Sequence, residues 1–110
     1  MKRCSVWWAD LGKYNGHIQG GFRPVVILGN RKALKYGSTI MVIPVTSKIK
    51  RLDMSTHVLG FNYKTKTSCM ALCEQIMTVS RETLIYPIRE IAFNIADIDV
   101  ALKEALGIEL

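Results

Sequence analysis

The sequence predicts an α+β fold class: a small antiparallel β-barrel followed by one C-terminal α-helix. Short β-branched and apolar runs recur between residues 5 and 88, and such runs are typical of strands. Beyond residue 92 the apolar residues recur at steps of three and four, which is typical of an amphipathic helix. A length of 110 residues favours a single domain, 1–110, with a modest core.

The first two predicted strands enclose a glycine-rich loop. Ser5–Asp10 reads as one strand, and Val25–Leu28 has the composition of a strand buried on both faces. Between them, the glycines of Gly12–Gly21 allow a sharp turn or a close approach to a ligand. Pro24 fixes its own φ and favours an extended Arg23. This places a planar guanidinium, suited to phosphate, at a strand entrance.

Two adjacent tryptophans, Trp7 and Trp8, lie in the first predicted strand. Successive side chains of a strand point to opposite faces of the sheet. We therefore expect one tryptophan in the core, and the other either packed as well or placed at a ligand or dimer surface.

The middle of the chain alternates polar connections with strands. A short helical turn is predicted over Lys32–Tyr36, and a strand over Thr39–Val45. Because Pro44 has no N–H to donate to a ladder, we expect this strand to end at a sheet edge or a bulge. Thr46 and Ser47 then present two hydroxyls at a strand terminus, either to a phosphate oxygen or to their own backbone.

Further strands and the helix complete the predicted order. We expect a short strand at His57–Leu59 and an extended segment at Leu84–Ile88. Ser68–Cys73 and Gln75–Val79 read as two strands, or as one long strand bent around Glu74. The helix starts between Ala92 and Asn94 and ends at Gly107. The other features are the basic loop Lys48–Met54 and the run Phe61–Lys66, whose aromatics and lysines suit either base stacking or an ordinary hairpin.

Charge and cysteine content narrow the function classes. Fifteen basic and nine acidic residues give a net charge of +6, which favours a polyanionic partner. The chain has three cysteines and no signal-peptide pattern or stretch of transmembrane length, so we expect a cytoplasmic protein that needs no membrane. Cys69 and Cys73 share strand parity and read as core residues. A metal site built from them with His57 is disfavoured, because the short Cys-x-x-Cys spacing is absent.

Several segments occur in a recognisable order. Gly-His-x-Gln-Gly-Gly-x-Arg-Pro-Val-Val-Ile-Leu begins at Gly16, and the remaining segments are Trp7–Leu11, Val42–Ser47, Thr56–Val58 and Cys73–Val79. In this order and spacing they resemble the MazF/PemK/Kid family of toxin–antitoxin ribonucleases. The resemblance extends from about residue 5 to about residue 107.

The resemblance implies an SH3-like barrel that forms a homodimer and holds single-stranded RNA at the subunit interface. It also implies cleavage at particular short sequences, by attack of the ribose 2′-hydroxyl on the adjacent phosphate, without a cofactor or metal. Since RNA supplies the nucleophile, the protein need only position the phosphate, stabilise its charge and move protons. The implied partner is a cognate antitoxin whose acidic segment covers the RNA groove.

The resemblance also assigns residues. Arg23 stabilises the pentavalent phosphate, Thr46 donates to a non-bridging oxygen, and His17 shuttles a proton or holds the phosphate. The general base stays unassigned, because an arginine pKa above about 12 makes a poor base. The residues expected to contact RNA are Gln19, Gly20, Gly21, Ser47, Lys48, Lys50, Gln75 and Thr78.

Three positions depart from the family pattern and leave alternatives open. Met77 stands where many relatives have an arginine, Ser80 where they often have an acidic residue, and Ile18 where an acidic residue is common. One alternative is a catalytically weakened relative that still binds RNA and antitoxin. Another is a non-enzymatic, CcdB-like topoisomerase poison on the same fold, although such chains lack the Gly-Gly-x-Arg-Pro stretch joined to Pro-x-Thr-Ser.

Overall fold

The computed structural model describes residues 1–13, 16 and 19–109. Over these residues an antiparallel sheet of eight strands bends around an apolar core, and a helix packs on it at the C-terminal end. The strands are β1 (Val6–Asp10), β2 (Phe22–Ile27), β3 (Thr39–Thr46), β4 (His57–Asn62), β5 (Thr67–Leu72), β6 (Met77–Ser80), β7 (Leu84–Ile88) and β8 (Ile91–Ala92). The helices are α1 (Arg31–Tyr36) and α2 (Ile95–Leu106), and two 3₁₀ turns lie at Cys73–Gln75 and Arg81–Thr83.

The strand order confirms the predicted α+β class with a barrel-like antiparallel sheet. The order is β7-β1-β2-β3-β5-β4-β8, and β6 pairs separately with the first half of β3. In the described ranges the end strands β7 and β8 are not paired with each other, so the barrel is open. Its two central strands, β2 and β3, carry fully buried residues on both faces, including Val25, Val26 and Ile27.

Helix α2 follows the predicted amphipathic pattern. Ile98 and Ala101 are buried in the core, and Leu102 packs against it. The helix begins at Ile95, slightly later than predicted, because Ala92 belongs to β8. The Asn94 side chain accepts the N–H of Asp97 as an N-cap, and Gly107 ends the helix in the left-handed conformation, at φ 70°.

Two local expectations about the strands are corrected. Strand β2 begins at Phe22, so Arg23 lies within the ladder opposite Ala9 rather than at a strand entrance. Strand β3 has neighbours on both sides, and Pro44 occupies neither an edge nor a bulge. Pro44 instead lies at the gap where the second neighbour of β3 changes from β6 to β5. The missing N–H falls in that gap.

The alternative of two strands around Glu74 is confirmed, since a 3₁₀ turn separates β5 from β6. Cys73 therefore lies in that turn and not in a strand, so the parity argument for it is wrong. Cys69 and Cys73 nevertheless reach the same core cluster as free thiols, and burial raises the pKa of Cys73 to about 12. No helix among the described residues is long and apolar enough to cross a membrane.

Candidate active site

A groove of about 420 Å³ opens where β1 and β2 meet the end of β3 and the β4–β5 hairpin. The pairings Trp8–Pro24, Val25–Pro44 and Thr46–Met70 bring these elements together from distant parts of the chain. The lining residues are Trp8, Phe22, Arg23, Pro24, Val45, Thr46, Ser47, Lys48, Asn62, Thr67, Ser68, Cys69 and Ile91. Arg23 and Thr46, two of the three predicted catalytic residues, thus share one groove.

Arg23 presents a fixed but unneutralised guanidinium to the groove. Its Nε donates to the carbonyl of Gly20 at 2.8 Å, and Nη1 donates to the carbonyl of Val45 at 3.3 Å. Within residues 1–13, 16 and 19–109 it has no carboxylate partner. Burial lowers the pKa of Arg23 from its ordinary value, although an arginine remains charged at neutral pH. A partly desolvated, oriented cation of this kind suits a phosphate ligand.

Thr46 is the buried polar residue of the groove, with 8% of its surface exposed. Its Oγ1 accepts the N–H of Lys48 at 3.1 Å, so the hydroxyl does bond to its own backbone. The hydrogen of the same hydroxyl can still donate, because a hydroxyl combines one donor with two acceptor lone pairs. Both expectations for Thr46 are therefore compatible. Ser47 and Lys48 are exposed beside it on the groove wall.

Four of the predicted RNA-contacting residues lie in or are hydrogen-bonded to the segment that precedes Arg23: Gln19, Gly20, Gly21 and Gln75. The Gln19 N–H donates to Oε1 of Gln75 at 2.8 Å, and the next carbonyl, that of Gly20, accepts from Arg23. Gly21 has φ 71°, which favours glycine, and its carbonyl accepts the N–H of Leu11. These contacts fix the main chain that leads into β2.

These four residues do not line the groove, and the remaining predicted RNA-contacting residues apart from Ser47 and Lys48 are not brought into it either. Thr78 pairs with Met41 on β3, five residues from Thr46, which corresponds to about 17 Å along a strand. Lys50 contributes its carbonyl to the ring of His57 and does not line the groove. His17, the third predicted catalytic residue, lies outside the described residues. Met77 packs against the core on β6.

The groove also contains aromatic and hairpin residues that the sequence did not assign to the site. Phe22 is 62% exposed beside Arg23, and Trp8 stacks on Tyr86 with ring centroids 6.5 Å apart and planes inclined by 16°. Asn62 and Ser68 reach the groove from the β4–β5 hairpin. In the sequence, the pair Trp7 and Trp8 and the run Phe61–Lys66 were signals for some of these residues. The strand pairing that brings them together could not be predicted from the sequence.

The sequence disfavours a metal site built from Cys69, Cys73 and His57. Across the part of the chain that the structure describes, no group of three or more His, Cys, Asp or Glu residues is arranged to hold a metal ion. Cys4, Cys69 and Cys73 are buried free thiols.

Comparison with known proteins identifies the family. The family described as PemK-like, MazF-like toxin of type II toxin-antitoxin system matches residues 2–106 of this chain. The chain belongs to this family. The resemblance predicted from the sequence is therefore confirmed.

Individual relatives agree with this membership. The toxin is 38% identical over 86 residues to Endoribonuclease MazF of Staphylococcus saprophyticus, covering 76% of this chain and 72% of that protein. Its fold matches MazF from Deinococcus radiodurans with a TM-score of 0.75 and 20% identity, covering 97% and 96% of the two chains. It also matches an endoribonuclease from Mycobacterial species, solved in complex with its cognate antitoxin, with a TM-score of 0.73 and 20% identity over 98% and 96%.

Proposed function

We propose that this enzyme, an endoribonuclease like its staphylococcal relative, cleaves single-stranded RNA at particular short sequences and needs no metal ion. The observation that carries the proposal is Arg23: a partly buried guanidinium without a carboxylate partner among the described residues, in the same groove as the Thr46 hydroxyl. Family membership and the +6 charge support a polyanionic substrate.

The chemistry follows from what RNA brings to the groove. The ribose 2′-hydroxyl gives its proton to a base as its oxygen attacks the adjacent phosphorus, the bond from phosphorus to the 5′-oxygen breaks, and the leaving oxygen takes a proton. Negative charge grows on the non-bridging oxygens, so donors already fixed in place lower the barrier. Arg23 supplies charge and direction, and Thr46 supplies a neutral donor. His17 remains the proposed proton carrier, and the general base is unassigned.

The deciding experiment measures cleavage of single-stranded RNA in the presence of EDTA. We expect products with a 2′,3′-cyclic phosphate and a 5′-hydroxyl. Arg23→Ala should lower kcat/KM by at least about a hundredfold, as for other preorganised charge stabilisers. Arg31→Ala is the matched control, because Arg31 is exposed on α1 beyond the opposite end of β2.

The outcomes separate the alternatives. Full activity of Arg23→Ala would remove this mechanism. Cleavage that stops in EDTA would contradict metal independence. Absence of cleavage together with topoisomerase binding would favour the CcdB-like alternative, whereas RNA binding without cleavage would indicate the weakened relative.

We further propose a homodimer that acts in the cytoplasm. The exposed apolar side chains of Leu52, Leu59 and Val100 border a shallow groove of about 450 Å³ between the 47–56 loop, β4 and α2. Apolar exposure of this kind supports burial against a second copy. The expected role of the first strand has weaker support, because Trp7 packs against the core of its own chain. Sedimentation at micromolar concentration distinguishes dimer from monomer.

The proposed inhibitor is a cognate antitoxin with an acidic segment that occupies the RNA groove. The cations Arg23 and Lys48 line that groove, which has no acidic residue in its described lining. An acidic segment should therefore compete with RNA for the same surface, and binding should weaken as salt screens the charges.

A further inference from the structure

His57, the first residue of β4, places a buried imidazole between the 73–75 turn and the 47–56 loop, whose Ser47 and Lys48 line the groove. Its side chain is 3% exposed. Nδ1 lies 3.1 Å from the main-chain oxygen of Lys50, and Nε2 lies 3.0 Å from Oε2 of Glu74. The other oxygen of that carboxylate accepts the hydroxyl of Thr56 at 3.2 Å. The ring therefore joins the 47–56 loop to the 73–75 turn.

Both partners of the ring are hydrogen-bond acceptors. A carbonyl oxygen carries no hydrogen, and neither does an ionised carboxylate. A neutral imidazole donates from only one nitrogen, so only the doubly protonated ring satisfies both contacts. When the ring loses a proton, one bond is lost and a nitrogen lone pair faces an oxygen.

The charges around the ring make its protonation state matter for the groove. Arg51 and Asp53 are ion-paired at 3.0 Å and offset each other. A neutral ring therefore leaves the Glu74 carboxylate without an ion-pair partner among the described residues. The titratable and charged groups are Glu74 and Cys73 of the 73–75 turn, Lys50, Arg51 and Asp53 of the loop, and Asp97 of α2.

The 47–56 loop has few other attachments to the barrel. Among the described residues, segment 47–53 makes two hydrogen bonds to side chains outside it. One joins the Lys48 N–H to Thr46, the residue just before the loop. The other joins the Lys50 carbonyl to His57, and it alone ties the middle of the loop to a different strand.

The 73–75 turn is connected to the opposite side of the groove as well. Gln75, next to Glu74, accepts the N–H of Gln19, which precedes the carbonyl that holds Arg23. Consecutive residues of one turn thus contact both segments that lead into the groove.

We propose that His57 and Glu74 are positioning residues, whose protonated pair clamps the Lys48-bearing loop at the groove. RNA binding then weakens as the pH rises through the range in which the ring loses its proton. The effect on RNA rests on the proposed function, whereas the ordering of the loop does not.

The first test requires no RNA. Hydrogen exchange of segment 47–53 is compared at about pH 6 and about pH 8, after correction for intrinsic exchange rates. Protection in the wild type should fall about tenfold at the higher pH, as expected for loss of a charge-assisted bond. His57→Gln, which does not titrate, should show equal protection at both pH values, and α2 serves as the internal control. Equal protection in the wild type would overturn the clamp.

A second variant keeps the test valid if His57→Gln does not fold. In Glu74→Gln the amide can donate to or accept from the ring, so a neutral imidazole satisfies both neighbours. The pH dependence of loop protection should therefore disappear in this variant too. A full pH effect in folded Glu74→Gln would contradict the clamp.

The second test measures binding of short, fluorescein-labelled 2′-O-methylated RNAs, which lack the nucleophilic hydroxyl. Kd should rise about five- to tenfold between about pH 6 and about pH 8 in the wild type. His57→Gln should lose the effect, whereas Lys32→Gln, a change on exposed α1 outside the site, is the control and should keep it. The reverse pattern would overturn the inference. If the loop responds to pH but the protein does not bind RNA, the proposed function fails and the clamp stands.

Discussion

At the scale of single residues, Thr46 combines two roles in one oxygen. Its Oγ1 accepts the Lys48 N–H, and its hydrogen is available to a phosphate oxygen. Thr46→Val keeps the shape but removes both roles, so kcat/KM for RNA cleavage should fall about tenfold, the order expected for one neutral hydrogen bond. Thr46→Ser keeps the hydroxyl and should stay close to the wild type. Equal activity of the valine and serine variants would contradict a role for the hydroxyl.

The same residues show which features of the site could be predicted from the sequence. Local signals singled out Arg23, through the proline that follows it, and Thr46, through its place at a strand end with an adjacent hydroxyl. Their catalytic roles come from the family resemblance and stay predictions. Their common groove depends on long-range pairing, such as Thr46 with Met70, which no local pattern encodes. Pro44 was misassigned for the same reason. A change of strand partner removes the need for its N–H, and that change is visible only in the assembled sheet.

At the scale of elements, α1 depends on an arginine from a distant turn. Nε of Arg81 donates to the carbonyl of Gly37 at 2.7 Å, and Nη2 donates to the carbonyls of Leu34 at 2.6 Å and Ala33 at 3.4 Å. The carbonyl of Leu34 belongs to those that a helix end leaves without partners, whereas the carbonyl of Ala33 also accepts the N–H of Gly37. A cation at this end of the helix also interacts favourably with the helix dipole. The side chain thus joins α1 to the connection between β6 and β7.

Loss of this cap should therefore be costly. Arg81→Ala should lower the free energy of unfolding by about 2 kcal/mol, measured by guanidinium chloride denaturation at unchanged slope. Arg81→Lys should recover only part of this, because a single ammonium cannot match the planar fork. The exposed Arg89 provides the control, and Arg89→Ala should change stability little. An unchanged midpoint for Arg81→Ala would show that water replaces the cap without loss.

At the scale of the whole molecule, the excess positive charge can neutralise RNA phosphates only where basic side chains lie at the groove. Arg23 and Lys48 line the groove, whereas the basic residues of α1 lie beyond the far end of β2. The net charge of +6 therefore overstates the number of phosphates that one chain can neutralise. Salt dependence measures that number directly, because each neutralised phosphate releases bound counterions.

For uncleavable single-stranded RNA, the logarithm of the association constant should fall linearly with the logarithm of salt concentration. Each phosphate contact should contribute about −0.7 to the slope. Lys48→Ala should make the slope less steep by about 0.7, because Lys48 lies on the groove wall beside Thr46. Lys32→Ala removes the same charge from exposed α1 and should leave the slope unchanged. Equal slopes for the two variants would mean that RNA binding depends on the overall charge of the molecule. That result would contradict the proposal that RNA binds in the groove.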